Sequence, residues 1–226
     1  VIHGDAVDAL APAVIGGARA GYYVRDLSLR SYALGVELFP GAAQWLFGTP
    51  ASELAEAHTA LGDVWTPNEV ERIRDQLASQ PTPEAQLDHL ERILLARLPR
   101  VRALHPAIAC ALRELGLHDV GTVVHDSGYS HRGFNNLFSA SVGLTPKRFV
   151  RVKRFAYALE RVHGADEESL ASLAAACGYS DQAHFTRDFR EFSGLTPARY
   201  RAVSPKFAHH VPVQIHSRPV RAGHAD

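Results

Sequence analysis

The fold is decided by two similar stretches in the second half of the chain. They read GYSHRGFNNLFSASVGLTPKRF over residues 128–149 and GYSDQAHFTRDFREFSGLTPARY over residues 178–200. Both keep a Gly-Tyr-Ser start, two Phe one helical turn apart and a Gly-Leu-Thr-Pro end, and the second copy has one extra residue just after Gly-Tyr-Ser. Identity at matched spacing marks an internal repeat, so the chain contains one structural unit twice.

Each copy predicts a helix, a tight turn and a second helix. In the second copy, the Ala-rich segment 169–177 is expected to be a helix that ends at Gly178, because Gly adopts the positive φ of a C-cap without steric cost. Ser180 or Asp181 then caps the next helix, and the two Phe of that helix fill the crossing. Two helices joined by a short Gly turn form a helix-turn-helix.

The two Thr-Pro pairs predict further helices, because Thr is a good N-cap and Pro is favoured at the first helical position. The helix that follows Thr145 is expected to be long, from Pro146 to about Val162, and to join the two units. Its basic side chains are Lys147, Arg148, Arg151, Lys153 and Arg154.

With the Phe residues inward, the second helix of each copy turns a row of mostly polar side chains outward. These are His131, Arg132, Asn135 and Asn136 in the first copy, and Gln182, Ala183, Thr186 and Arg187 in the second. Arg can bond guanine through two hydrogen bonds, Asn and Gln can bond adenine, and a methyl group can contact the thymine methyl. Two such helices ~34 Å apart could enter successive major grooves of DNA. An ordinary solvated surface remains the alternative for these polar side chains.

Helix N-termini and basic side chains are the groups that hold DNA phosphates. The predicted backbone contacts are Ser130, Thr145, Lys147, Arg148, Arg151, Ser180 and Thr196. For Lys147, Arg148 and Arg151, a plain solvated helix face is an equal alternative.

The overall charge of zero conceals two halves of opposite sign. The chain has 226 residues with 24 basic and 24 acidic side chains, which suits one large or two small globular domains. Residues 1–99 contain 7 basic and 13 acidic side chains, and residues 100–226 contain 17 and 11, so the net charges are −6 and +6. This asymmetry suggests that the second half meets a polyanion.

Residues 103–203 resemble the DNA-binding domain of AraC/XylS-type transcription regulators. The second copy carries the family signature at Ala174, Gly178-Tyr179-Ser180-Asp181, His184-Phe185, Arg187, Phe189, Gly194, Thr196-Pro197 and Tyr200-Arg201. The resemblance implies an all-α domain of two helix-turn-helix units that binds double-stranded promoter DNA. It favours activation and makes RNA polymerase a candidate partner. The two cysteines, expected to be reduced, fit a cytoplasmic protein. The first copy departs from the family pattern at Val124, where a small Ala is usual, and at Gly121 and Gly133.

The first half is predicted to be a small β-rich region followed by helices, which makes the chain α+β. Strands are expected at 13–15, 21–27 and 31–39, a short helix at 42–47, and helices after Thr66 and Thr82. The apolar positions of the last helix, expected inward, are Leu87, Leu90, Ile93, Leu94 and Leu98. Residues 35–43 and the helices that follow resemble a cupin-like sensor domain attached to some of these regulators.

The predicted organisation is therefore a sensor or dimerisation domain at 1–99, a DNA-binding domain at 100–203 and a flexible tail at 204–226. The chain has no Met and opens at Val1, which indicates either a non-standard start or a missing upstream piece. Its opening segments resemble the middle of a sheet, which favours the missing piece. A small-molecule effector and a second copy of the chain are candidate partners. Aromatic residues of the first half could line an effector pocket or form core, with core favoured: Tyr22, Tyr23, Tyr32, Trp45 and Phe47.

Other classes of function find little support. His125-Asp126-Ser127 contains triad residue types, but neighbours on a helix point in different directions, and no Gly-x-Ser-x-Gly, phosphate loop or dinucleotide motif is present. The 13 His lack metal-ligand spacing, so no cofactor or metal is expected. Cys110 and Cys177 are expected to be reduced core thiols, and no apolar run is long enough for a membrane helix. The alternative function is a small-molecule-binding or protein-interaction module.

Overall fold

The computed structural model describes residues 2–3, 6–7, 10–24, 32–100, 103–164 and 168–212. The chain divides into two compact units, residues 1–153 and 154–226. The boundary expected near Arg100 lies inside the first unit.

The N-terminal part of the first unit combines short strands with short helices. Strand β1 (Ile2–His3) pairs antiparallel with β2 (Ala6–Val7), and β3 (Val14–Gly16) pairs antiparallel with β4 (His58–Ala60), with Ile15 opposite Thr59. Between β3 and β4 lie helices α1 (Ala43–Phe47) and α2 (Ala51–Leu54), and α3 (Leu61–Val64) follows β4. These elements and the helices that follow confirm the α+β class.

The strand predictions were only partly correct. Strand β3 confirms the prediction at 13–15, but residues 21–24 and 32–39 belong to no strand. Positions 25–31 lie outside the described residues. Alternating apolar residues make a strand only where a partner satisfies their backbone groups, and the described chain gives 32–39 no such partner.

Two capped helices follow in the first unit, α4 (Pro67–Ala78) and α5 (Pro83–Arg97). The hydroxyls of Thr66 and Thr82 accept backbone N–H groups three residues ahead, which confirms both predicted starts. The burial predicted for the inward positions of α5 was too high, since Leu87 is 44% exposed and no residue of α5 is fully buried. Its contacts are with α1 and α4, which cover it only in part.

The repeat folds as its sequence predicts. The first copy comprises α6 (Pro106–Glu114), α7 (Val120–Asp126) and α8 (His131–Val142), followed by the long α9 (Pro146–Gly164). The second copy comprises α10 (Leu170–Ala176), α11 (Gln182–Ser193) and α12 (Pro197–Val203). Gly128 and Gly178 both have φ of 73°, so the same left-handed turn occurs in both copies.

The conserved Phe residues form the two cores. Phe134 and Phe138 are fully buried in the first unit, and the Phe138 ring lies 5.5 Å from that of Phe149. Phe185 and Phe189 are fully buried in the second unit, together with Leu173, Ala174, Cys177 and Tyr200. This confirms a packing role for all four repeat Phe residues.

Several residues expected in a core lie elsewhere. Cys110 is exposed, so the expectation of two core thiols is correct only for Cys177, whose pKa is raised by burial. None of the five N-terminal aromatic residues is fully buried. Tyr22, Tyr23 and Tyr32 are at least 47% exposed.

The first residues of the predicted tail contact the second core. Ala208 and Val211 pack against it, and the Tyr200 hydroxyl donates a hydrogen bond of 2.9 Å to the Ala208 carbonyl. Positions 213–226 lie outside the described residues.

The turn before α11 yields the first prediction. Gly178→Ala places a Cβ in open space, so its whole effect comes from the positive φ. We expect a loss of ~1–2 kcal/mol in the free energy of unfolding, and a smaller loss for Gly178→Asn. Gly164→Ala is the control, because its Cβ also meets nothing and its φ is not positive. Equal effects of Gly178→Ala and Gly164→Ala in urea unfolding would contradict the assigned turn.

Candidate nucleic-acid interface

The outward side of α8 is the first reading face, defined as His131, Arg132, Asn135 and Asn136. All four side chains are exposed, as predicted from the inward Phe residues. The helix begins at its Ser130 N-cap, whose Oγ accepts the Gly133 N–H at 3.2 Å. This arrangement presents an imidazole, a guanidinium and two amides from the first two turns of one helix, and these groups can bond base edges.

The outward side of α11 is the second reading face, defined as Gln182, Ala183, Thr186 and Arg187. Three of its members are exposed and Thr186 is half-buried. The Thr186 hydroxyl donates to the Gln182 carbonyl at 2.8 Å, so that hydroxyl is already bonded within the helix and the methyl group is the more available part for a base. Arg190 is also exposed, three residues beyond Arg187. Its helical spacing from Arg187 was a signal in the sequence for a further cation on this side of α11.

Besides Ser130, two more of the predicted phosphate contacts are helix caps. The Thr145 hydroxyl accepts the Arg148 N–H at 3.4 Å, and the Thr196 hydroxyl accepts the Arg199 N–H at 3.3 Å. A hydroxyl that accepts one hydrogen bond still has its own proton to donate. Both caps can therefore bond a phosphate oxygen while they hold the helix start.

At the start of α11 the structure decides between two candidate caps. Asp181 is the N-cap, because its Oδ1 accepts the His184 N–H at 2.7 Å, and Ser180 donates to its Oδ2 at 3.0 Å. The backbone hydrogen bond from His184, followed by that from the Ser180 hydroxyl, lowers the pKa of Asp181. This N-terminus thus carries its own anion, which offsets its attraction for a phosphate near Ser180.

The basic side chains at the start of α9 differ in their surroundings. Lys147 is exposed, and Arg151 is half-buried. Arg148 lies 3.4 Å from the Glu56 carboxylate, which also accepts the Ala20 N–H at 3.0 Å. Helix α2, just before Glu56, contacts α8, so the N-terminal region and the first helix-turn-helix meet within one compact unit.

The Glu56 contact predicts a measurable effect on DNA affinity. A carboxylate beside Arg148 competes with a phosphate for the guanidinium, so Glu56→Gln is expected to raise affinity by up to ~5-fold at low salt, since partly exposed pairs contribute ~0.2–1 kcal/mol. Glu53→Gln is the matched control, because it removes the same charge from an exposed position of α2. Equal gains from both variants in fluorescence anisotropy titrations would show a net-charge effect only.

The described part of the chain contains neither a metal-binding cluster nor a membrane-spanning helix. Within it, no three His, Cys, Asp or Glu side chains group as a metal ion would require. None of its helices is long and apolar enough to span a membrane.

The model of a helix-turn-helix domain family matches residues 111–202, which run from within α6 to within α12. Relatives named as transcription regulators match 68 to 82 residues of the chain. Residues 111–202 are an AraC-type helix-turn-helix domain.

The relatives of this AraC-type domain cover a limited part of the chain. A probable transcription factor PqrA of Proteus vulgaris is 33% identical over 82 residues, which is 36% of this chain and 66% of that protein. The regulator ExsA of Pseudomonas aeruginosa is 32% identical over 68 residues, or 30% of this chain and 24% of that protein. A probable regulator LumQ of Photobacterium leiognathi is 34% identical over 68 residues, or 30% and 27%. The matches therefore span about a quarter to two thirds of these relatives.

One solved structure also aligns with part of the chain. It is the crystal structure of the DNA-binding domain of AdpA, a global transcriptional factor, in complex with a target DNA. The identity is 28%, the TM-score is 0.37, and the alignment covers 45% of this chain and 92% of that chain.

Proposed function

We propose that this chain is a transcription regulator that reads promoter DNA through its two reading faces. On the DNA, α8 and α11 would enter successive major grooves on one side of the duplex. The observation that carries the proposal is the duplicated AraC-type unit, in which each copy buries its Phe pair and exposes groups able to bond base edges. The net charge of +6 over residues 100–226 suits a polyanionic partner.

The predicted phosphate contacts complete this proposal. Ser130, Thr145 and Thr196 offer cap hydroxyls, while Lys147 and Arg148 offer exposed cations. Ser180 and Arg151 are included as weaker members, because Asp181 lies beside Ser180 and Arg151 is half-buried. These groups set the register of the protein on the duplex, and the reading faces select the sequence.

The N-terminal region would sense an effector or join two copies, and the regulator would act as an activator in the cytoplasm through RNA polymerase. Support comes from the family resemblance and from the contact of α2 with α8. A promoter fused to a reporter tests activation, and sedimentation of the full chain with and without operator tests dimer formation. Repression of the reporter would overturn the activator role.

The direct experiment is selection of bound sequences from a random duplex pool by the full chain. We expect a motif of two parts, centred one helical turn apart. Affinity for that operator should fall steeply with salt, with a logarithmic slope of about −0.9 for each phosphate neutralised. A pool that shows no enriched sequence after selection would overturn the proposed function and favour a role in small-molecule or protein binding.

A further inference from the structure

The second reading helix contains a buried acid between two buried aromatic residues. Asp188 is 4% exposed, and Phe185 and Phe189 on either side are fully buried. In the first copy the matching position is Leu137, three residues after Phe134. The same fold thus accepts an apolar side chain at this position, so the acid in the second copy is not a requirement of the packing.

The acid has a partner on the long helix. The Arg154 Nη2 donates to the Asp188 Oδ2 at 3.0 Å, and the Arg154 side chain is 25% exposed. The guanidinium also lies 4.3 Å from the centroid of the Tyr179 ring. That ring is 5% exposed, and burial raises the pKa of Tyr179 to about 12, so it is neutral at physiological pH. A single cation therefore connects the middle of α9, the Gly turn and α11, all within the second unit.

His184 closes this cluster on its solvent side. Its Nδ1 lies 3.1 Å from the Ser180 Oγ, and its Nε2 lies 3.9 Å from the Asp188 Oδ2. The cluster thus extends from the inner side of α11 to its capped N-terminus. None of its members belongs to the second reading face. One member, Ser180, is among the predicted phosphate contacts.

Asp188 is next to Arg187 in the chain, so the ion pair of Asp188 affects the direction in which Arg187 points. Asp188 faces the core and Arg187 faces solvent, so a bond to Asp188 limits rotation of α11 about its axis. A rotation of ~20° moves a side-chain tip ~6 Å from the helix axis by ~2 Å. Such a displacement is enough to break a two-bond contact between an Arg and a guanine, whose hydrogen bonds require distances near ~3 Å.

A gain in folding stability does not readily explain this buried ion pair. Removing two charges from water is costly, and replacing a buried ion pair with apolar side chains of similar size is often neutral or stabilising. Leu137 in the first copy shows the apolar alternative in this fold. The ion pair is therefore better explained by a role in orienting α11 than by a role in stabilising the fold.

We propose that Arg154 and Asp188 are positioning residues for the second reading face, which hold α11 at the rotation that aims Arg187 at its base. They contact no base themselves and act through α11. The proposal rests on the proposed DNA-reading function, and it assigns sequence discrimination in the second half-site to an ion pair outside the interface.

The test compares the full chain with the double variant Arg154→Met/Asp188→Leu on the selected operator and on random duplex. We expect the variant to remain folded, with a melting temperature close to or above that of the parent chain. Its affinity for random duplex should be unchanged, and its affinity for the operator should fall at least ~10-fold, the size of one lost base contact. The preference at the base pair read by Arg187 should disappear.

A double-mutant cycle separates positioning from a general structural role. In an Arg187→Ala background the apolar pair should cause little further loss, because its effect passes through that side chain. The positioning role is overturned if the double variant folds and keeps the ratio of its affinities for operator and random duplex within ~2-fold of the parent. It is also overturned if the double variant fails to fold. If the parent chain itself does not distinguish operator from random duplex, the proposed function fails first, and this proposal fails with it.

Discussion

Arg187→Ala is expected to weaken binding to the selected operator by roughly 5- to 150-fold, because a guanidinium that bonds a base edge contributes ~1–3 kcal/mol. The side chain is exposed on the second turn of α11, and the helix beneath it is fixed by two fully buried Phe residues. The loss should fall on one base pair, so repeated selection with the variant should return the same motif with that position relaxed. Anisotropy titrations and a second selection measure the two effects.

Arg72→Ala is the matched control for this prediction. Arg72 lies on α4 with 67% of its side chain exposed, and its removal deletes the same charge far from the two reading faces in sequence. Its effect on operator affinity should be small and equal for all sequences. If Arg187→Ala leaves both affinity and sequence preference as in the parent, the second reading face is wrongly assigned.

Phe189→Ala should produce the largest loss of stability in the second unit. The Phe189 ring is fully buried and lies 5.3 Å from Phe155, 5.7 Å from Phe185 and 5.6 Å from Tyr200, measured between ring centroids. Truncation of a buried Phe costs ~3–5 kcal/mol, a large part of the ~5–15 kcal/mol that stabilises a typical domain. Urea unfolding should show an early transition of the second unit, and operator binding should be lost with it.

Phe207→Ala makes the same chemical change at a surface position of the same unit. Its ring is 59% exposed, and Lys206 is its close cationic neighbour at 5.3 Å. The expected loss is at most ~1 kcal/mol. Similar unfolding curves for Phe189→Ala and Phe207→Ala would contradict the packing described for the second core.

The repeat could be predicted well because its signals are local. Gly128 and Gly178 adopt the expected left-handed turn, and the Thr-Pro pairs begin helices as expected. Each of these outcomes depends on the preference of a residue for its own backbone geometry or for a neighbour within one turn. The exposed reading faces follow from the same periodicity, once the Phe residues are placed inward.

The failures concern contacts between residues distant in sequence. The segment 32–39 has the composition of a strand, yet a strand requires a partner, and β3 pairs instead with residues 58–60, which no local pattern marks as a strand. In the same way, the amphipathic pattern of α5 shows which side would be buried, but not how much of that side its neighbours cover.

In the candidate site, too, local features could be predicted and contacts between distant residues could not. The caps and outward positions were accessible to sequence reasoning, whereas the ion pairs Glu56–Arg148 and Arg154–Asp188 were not. An acid among the inward positions of an amphipathic helix was the available signal for Asp188, since a buried carboxylate requires a partner. The identity of that partner depends on how α9 and α11 pack.

Methylation interference at guanine N7 on the selected operator tests most directly whether both copies of the repeat read DNA. N7 lies in the major groove, so a methyl group there blocks an inserted helix. The duplicated unit predicts two clusters of interfering guanines on one side of the duplex, centred about 10 base pairs apart, with the cluster of the second half-site weakened by Arg187→Ala. A single cluster, or two clusters on opposite sides of the duplex, would contradict it.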